Sequence, residues 1–168
     1  MDFVHDSLGS GGTIRVLTIV DHVSRESPAI EVGRSLRSED VVHTLERLRV
    51  RGRKPQRITV DNGSEFVSKQ LDRWAYVHGV ELDFIQPGTP VQNAYIESFN
   101  GKLRDECLSV HWFESLDEAK EKIEAWRLDY NESRPHGSLG QLTPRECRRR
   151  WSAKDRGFDA AFQTNDPA

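Results

Sequence analysis

The sequence predicts an α/β protein, a mixed five-stranded sheet flanked by helices, on three observations. Two runs with β-type alternation flank the turn-forming stretch "GSGG", and a third short run follows. The pattern then changes to α, β, α, β before two longer helices. The length of 168 residues suits one domain with a real core.

Each element has its own local reason. "MDFVHDSL" and "TIRVLTIVD" alternate apolar and polar residues across the glycine-rich turn and read as a β-hairpin, with "SPAIEVG" as a third strand. "RSEDVVHTLERLRV" places Val41, Val42, Leu45 and Leu48 at helical spacing behind Ser38, the expected N-cap. "RITV" is a β-branched run ending at Asp61-Asn62-Gly63. "KQLDRWAYVHG" reads as a helix closed by Gly79, with Trp74 and Tyr76 expected to pack, and "ELDFI" as the fifth strand. Beyond "QPGTP" a helix is expected from about residue 91 to about residue 109. The next starts at Ser115 with Glu118 three residues on, a capping-box spacing. Residues 1–150 form the predicted core and residues 151–168 a polar C-terminal tail.

Composition narrows the function. The formal charge is -3, so no global basic footprint marks a nucleic-acid binder. Two local basic runs stand out instead, "RLRVRGRKPQR" and "RECRRR", each most simply a solvated surface when taken alone. Cys107 and Cys147 lie far apart without metal-ligand spacing, which excludes a zinc motif or a disulfide framework and points to a reduced, cytoplasmic setting. No signal peptide and no bilayer-length apolar run is present. His111 and His136 also lack ligand spacing and read as surface or hydrogen-bonding residues.

Two carboxylates attract chemistry. Asp61 closes a strand at its C-terminal end, where open α/β sheets present functional groups, although in isolation an Asx-turn that merely ends the strand is the better explanation. On the helix containing "YIESFNGKLRDECL", Ile96, Phe99, Leu103 and Cys107 form an apolar stripe. Asn93, Glu97, Asn100, Gly101 and Arg104 form a polar stripe beside it. Glu97 is therefore expected at the edge of the buried face, partly shielded, and pairing with Arg104 would satisfy it. If Asp61 and Glu97 converge, a third carboxylate from the first hairpin would complete a hard-oxygen site suited to Mg²⁺. Asp2, Asp6 and Asp21 are all candidates, and periodicity does not choose.

The strings "MDFVHDSL", "IVDHVSRE", "ITVDNGSEF", "FIQPGTPVQNAYIESFNGKLRDECL" and "YNESRPHGSLGQLTPREC" occur in an order that resembles the catalytic core of bacterial insertion-sequence transposases of the retroviral-integrase type, in particular family three and its OrfB-like proteins. The resemblance covers Asp2 to Cys147. The 35 residues between Asp61 and Glu97 match the spacing of that family's DDE signature.

The resemblance implies a ribonuclease-H-like fold and a DNA transposase that cleaves phosphodiesters and transfers strands with Mg²⁺, Mn²⁺ substituting and two ions expected on DNA. It makes Asp2, Asp61 and Glu97 the catalytic, metal-holding acids. It places Arg104 on the DNA backbone, with Lys102, Asn93 and Asn100 as further DNA-contacting candidates. Asp21 matches a fold-supporting position outside the triad, where His22 replaces a commoner acid. The implied partners are DNA, both element ends and target, an oligomer assembled on it, and full-length transposase. Such proteins carry upstream helix-turn-helix elements and further first-strand residues, so the expectation is an N-terminally truncated core. The alternative is a catalytically impaired remnant that binds DNA or transposase. A ribonuclease H acting on hybrids fits less well, because the spacing and the "YNESRPHGSLGQLTP" segment argue against it.

Overall fold

The computed structural model describes residues 1–86 and 94–152. Strands β1 (Asp2–Ser7), β2 (Thr13–Ile19) and β3 (Ala29–Gly33) form an antiparallel ladder in the order β1-β2-β3. The first turn is closed by hydrogen bonds from Leu8 N to Gly12 O and from Gly11 N to Leu8 O. Helix α1 (Ser38–Val50) leads to β4 (Arg57–Val60), α2 (Lys69–His78) and β5 (Glu81–Phe84), with β4 and β5 paired in parallel. Helix α3 (Ala94–Leu103) runs directly into a π-helical turn over Arg104–Leu108, and α4 spans Leu116–Glu132. A 3-10 turn over Gly137–Leu139 and a helix over 144–152 complete the described chain.

All five expected strands are present, but their hydrogen bonds divide them into a three-stranded and a two-stranded ladder. The ladders meet where the Met1 amino group donates to Thr59 O at 2.8 Å. That contact brings the start of β1 beside the end of β4.

Alternation along β2 sets the two layers of the core. Ile14 and Val16 are buried with Val4, Val32, Ile96, Phe99, Leu103, Ile123 and Trp126, under α3 and α4. Leu17 is buried with Val41, Leu45, Val60, Phe66 and Leu71, under α1 and α2. Successive side chains of a strand point to opposite faces, so one central strand anchors both layers. Phe3 follows the same rule, stacking on Phe66 at 5.3 Å between ring centroids.

The caps differ in detail from the expectation. Ser38 is the first helical residue of α1, and Arg37 is the N-cap, with its N–H donating to Asp40 Oδ2 at 2.7 Å. An aspartate at the third helical position reaches back more directly than a serine at the first. Ser115 does cap α4, accepting from Glu118 N, while the Glu118 carboxylate accepts from Glu114 N at 2.8 Å. Trp74 is buried and donates from Nε1 to Glu46, but Tyr76 is 89% exposed, which corrects its expected packing role. Two residues further along a helix is about 200° around its axis, so both rings could not face one core. No helix among the described residues is long and apolar enough to cross a membrane.

Candidate active site at the junction of the two ladders

Asp2 occupies the first position of β1, opposite Thr18 on β2. It lies on the α3 side of the sheet. Its Oδ1 accepts from Phe3 N at 2.7 Å, and its Oδ2 accepts from Asn100 Nδ2 on α3 at 2.7 Å. Burial pushes the carboxyl pKa up, and the charge of Asp61 adds to this. The Phe3 amide, the amino terminus and Asn100 oppose the shift without cancelling it. Burial also holds the Met1 amino group down to about 6, against the attraction of Asp2 and Asp61.

Asp61 follows the last residue of β4 and forms the Asx-turn that its sequence suggested: Oδ1 accepts from Gly63 N at 2.9 Å. A side chain at position 63 would place its Cβ 2.9 Å from that same oxygen, so the turn requires glycine's small size. The next residue, Asn62, donates from Nδ2 to Ile85 O and ties the turn to the end of β5. The turn and the influence of Asp61 on Asp2 coexist. Local turn geometry fixes the aspartate, and the ladder junction brings its charge within reach of Asp2.

Glu97 lies in the first turn of α3. The apolar stripe is as expected, with Ile96, Phe99, Leu103 and Cys107 all buried. Glu97 itself is exposed rather than partly shielded, a correction to its expected depth. Helical spacing gives direction around the axis; what covers that direction depends on neighbouring segments. Of the remaining first-hairpin acids, Asp6 caps its own neighbour by accepting from Ser7 N. Asp21 accepts from Val23 N, Ser24 N and Ser24 Oγ in the β2–β3 loop, the supporting role expected of it. Asp2 is the one of the three at the ladder junction, beside the Met1 amino group that bonds Thr59 O, and its carboxyl feels the charge of Asp61.

The expected DNA contacts separate. Lys102 and Arg104 are exposed, Arg104 opening the π-helical turn. Asn100 instead turns its amide inward, accepting from Thr18 Oγ1 at 2.8 Å while donating to Asp2. Asn93 lies outside the described residues. The long basic runs are largely internally neutralised. Arg47 pairs with Glu31, Arg49 with Glu46, Arg57 with Glu81 and Arg145 with Glu132, while Arg53 and Arg148 share the buried Glu26. Beside Glu97, Tyr95 carries the Arg25 guanidinium 3.4 Å from its ring centre, and His22 packs at 5.5 Å. Burial lowers the His22 pKa, with the amino terminus and Arg25 adding to the effect.

Sequence reasoning missed Thr18 and Asn62. Thr18 shares its strand face with the aliphatic Ile14 and Val16 and is fully buried, a polar residue on an apolar face being the available signal. The donor set of Asp2, Asp61 and Glu97 is all hard oxygen, as Mg²⁺ requires. Among the described residues, however, no three such side chains are gathered closely enough to hold a metal ion.

Comparison with known proteins places these features in context. The sequence pattern described as "Integrase core domain" matches residues 1–90, and a second pattern of the same description matches residues 78–144. The chain is 48% identical over 167 residues to the insertion element IS407 uncharacterized 31.7 kDa protein of Burkholderia multivorans, covering 97% of this chain and 58% of that protein. It is 46% identical over 144 residues to the insertion element IS476 uncharacterized 39.2 kDa protein of Xanthomonas euvesicatoria, covering 86% and 42%. The chain thus spans about half the length of these two relatives.

Among solved structures, the catalytic core domain of BIV integrase superposes with a TM-score of 0.68 at 15% identity, over 92% of this chain and 95% of that one. The HTLV-2 integrase catalytic core domain in complex with magnesium gives 0.63 at 18%, over 87% and 91%. These likenesses establish the ribonuclease-H-like fold. With the pattern over residues 1–90 and relatives encoded by insertion elements, the chain belongs to the integrase core domain family, as a catalytic core of the insertion-element transposase type.

Proposed function

We propose that this chain is the catalytic core of a metal-dependent DNA transposase that cleaves phosphodiester bonds and transfers the resulting strand ends, with Asp2, Asp61 and Glu97 as its acids. The observation that carries the proposal is the ladder junction, where the Met1 amino group bonds Thr59 O and so draws the start of β1, with Asp2, towards the end of β4, with Asp61, while α3, which bears Glu97, is tied to Asp2 through Asn100.

The carboxylates of Asp2, Asp61 and Glu97 would hold Mg²⁺, which when bound would supply Lewis acidity to a scissile phosphodiester at neutral pH. The protein's own part is positioning. Phe3 N and Asn100 orient the Asp2 carboxylate, Gly63 N fixes Asp61, and the buried stripe of α3 sets the azimuth of Glu97. In cleavage, a water oxygen attacks phosphorus and the 3′ oxygen departs with a proton. In transfer, that 3′-hydroxyl attacks a target phosphodiester in the same way. Lys102 and Arg104 lie exposed on the same helical segment as Glu97 and serve to hold phosphates, so binding weakens as salt rises. Assembly on DNA as an oligomer and action on element ends and target belong to the same proposal.

The test uses oligonucleotide duplexes carrying the ends of the element that encodes the chain. Nicking and strand transfer are expected with Mg²⁺ or Mn²⁺ and are expected to vanish in Asp61→Asn and Glu97→Gln. Equal activity of the wild type and Glu97→Gln would refute the assignment.

A further inference from the structure

Thr18 is fully buried on the same face of β2 as Ile14 and Val16, where an aliphatic residue would pack without a polar atom to satisfy. Its hydroxyl lies 2.8 Å from Asn100 Oδ1 and 3.2 Å from the main-chain oxygen of Asp2. Neither oxygen can donate, so the threonine must. The single hydroxyl hydrogen goes to the nearer acceptor, which fixes the Asn100 amide with its oxygen toward β2. The amide nitrogen then faces β1, where Nδ2 donates to Asp2 Oδ2 at 2.7 Å. With Oδ1 held by Phe3 N, each carboxylate oxygen of Asp2 has one fixed donor and a lone pair to spare.

We infer that Thr18 and Asn100 form a positioning relay for Asp2. Thr18 sets the sense of the Asn100 amide, and the amide sets the plane of the carboxylate. The inference rests on the reading of Asp2 as a metal-holding acid. Asn100 is also one helical turn beyond Glu97 on α3, so the relay fastens the helix carrying one acid to the strand carrying another. Without the threonine donor, the amide oxygen loses its partner on β2 and the Asp2 carboxylate alone holds the sense of the amide, so the carboxylate is less firmly oriented.

The experiment measures Mn²⁺ binding calorimetrically on the whole chain, with thermal melting to confirm folding. It compares the wild type with Asp2→Asn, Thr18→Val, Thr18→Ser and Asn100→Ala. Thr18→Val and Asn100→Ala are expected to weaken Mn²⁺ affinity on the order of 10-fold, the usual effect of removing a group that orients a ligand. Thr18→Ser keeps the hydroxyl and is expected to retain wild-type affinity. In DNA cleavage, the Mg²⁺ concentration for half-maximal rate is expected to rise more in Thr18→Val than the saturated rate falls. Wild-type affinity in Thr18→Val and Asn100→Ala, with binding abolished in Asp2→Asn, overturns the relay and leaves the acid assignment standing. Failure of Thr18→Ser to differ from Thr18→Val overturns the relay as well. Undetectable binding by the wild type, or unchanged binding in Asp2→Asn, overturns the assignment beneath it.

Discussion

Asn131, buried near the end of α4, satisfies both backbone hydrogen-bonding groups of Ser27. Its Oδ1 accepts from Ser27 N at 2.9 Å, and its Nδ2 donates to Ser27 O at 2.8 Å. A side-chain amide thus stands in for a neighbouring strand just ahead of β3, with Arg127 adding a second donor to the same carbonyl. Replacing Asn131 by alanine orphans a buried N–H, a loss of about 1–3 kcal/mol. Urea denaturation of Asn131→Ala measures it, and an unchanged midpoint would contradict the assignment.

Gly9 lies under the exposed Trp112 ring. A Cβ at position 9 would fall 2.0 Å from Trp112 Nε1, and the Gly9 N–H is committed to Phe113 O. Gly9→Ala is expected to displace the ring and destabilise the protein by about 1 kcal/mol, the low end for overpacking because an exposed ring can swing aside. Trp112→Ala in the same background is expected to remove most of that cost, so the two changes combine non-additively in a double-mutant cycle.

Glu46 receives the Arg49 guanidinium through two bonds and the Trp74 indole N–H, and these hold its pKa down to about 2. A carboxylate whose pKa is depressed in the folded state contributes stability that is complete above its ordinary value of 4.5 and disappears as the pH falls towards 2. The melting temperature of the wild type is therefore expected to fall more steeply across that window than that of Glu46→Gln. Parallel profiles would show that the exposed pair adds nothing measurable.

Cys107 is fully buried, and burial pushes its thiol up to about 11. Cys147 is buried as well. Neither is expected to react appreciably with a thiol reagent at pH 8 in the folded protein, and both are expected to react once it is unfolded. Rapid labelling of the native chain at Cys107 would place that residue nearer solvent than the packing of α3 allows.

What could be read from the sequence was what local spacing controls. The stripe of Ile96, Phe99, Leu103 and Cys107 follows from helical period, and the turn at Asp61 from the Asx-Gly pair beside it. Glu97 shows the boundary of that reasoning, since spacing located its direction on α3 but not its exposure. Thr18 and Asn131 were not legible, because their partners Asn100 and Ser27 lie 82 and 104 positions away. The ion pairs of the basic runs were not legible for the same reason. The single carboxylate that occupies Arg53 and Arg148, that of Glu26 between β2 and β3, meets them only after that loop is placed against the end of α1 and the last helix. The division of the strands into two ladders likewise depends on how β1 sits against β4, a matter of chain placement rather than alternation.

The π-helical turn after α3 has a consequence for the residues that follow. Ser109 N donates to Arg104 O, five positions back, in place of the four that a regular helix uses. At 3.6 residues per turn, Leu108 would lie about 140° around the axis from Leu103. The wider turn brings the two nearly into line, and both are buried. The turn acts as a phase shift that absorbs one surplus residue. Deleting a single residue within 104–106 would leave a helix of ordinary pitch, yet move every later side chain back by one position. A chain altered in this way would keep Glu97 and the buried Ile96, Phe99 and Leu103 unchanged and bear the adjustment from Cys107 onward, in the approach to α4.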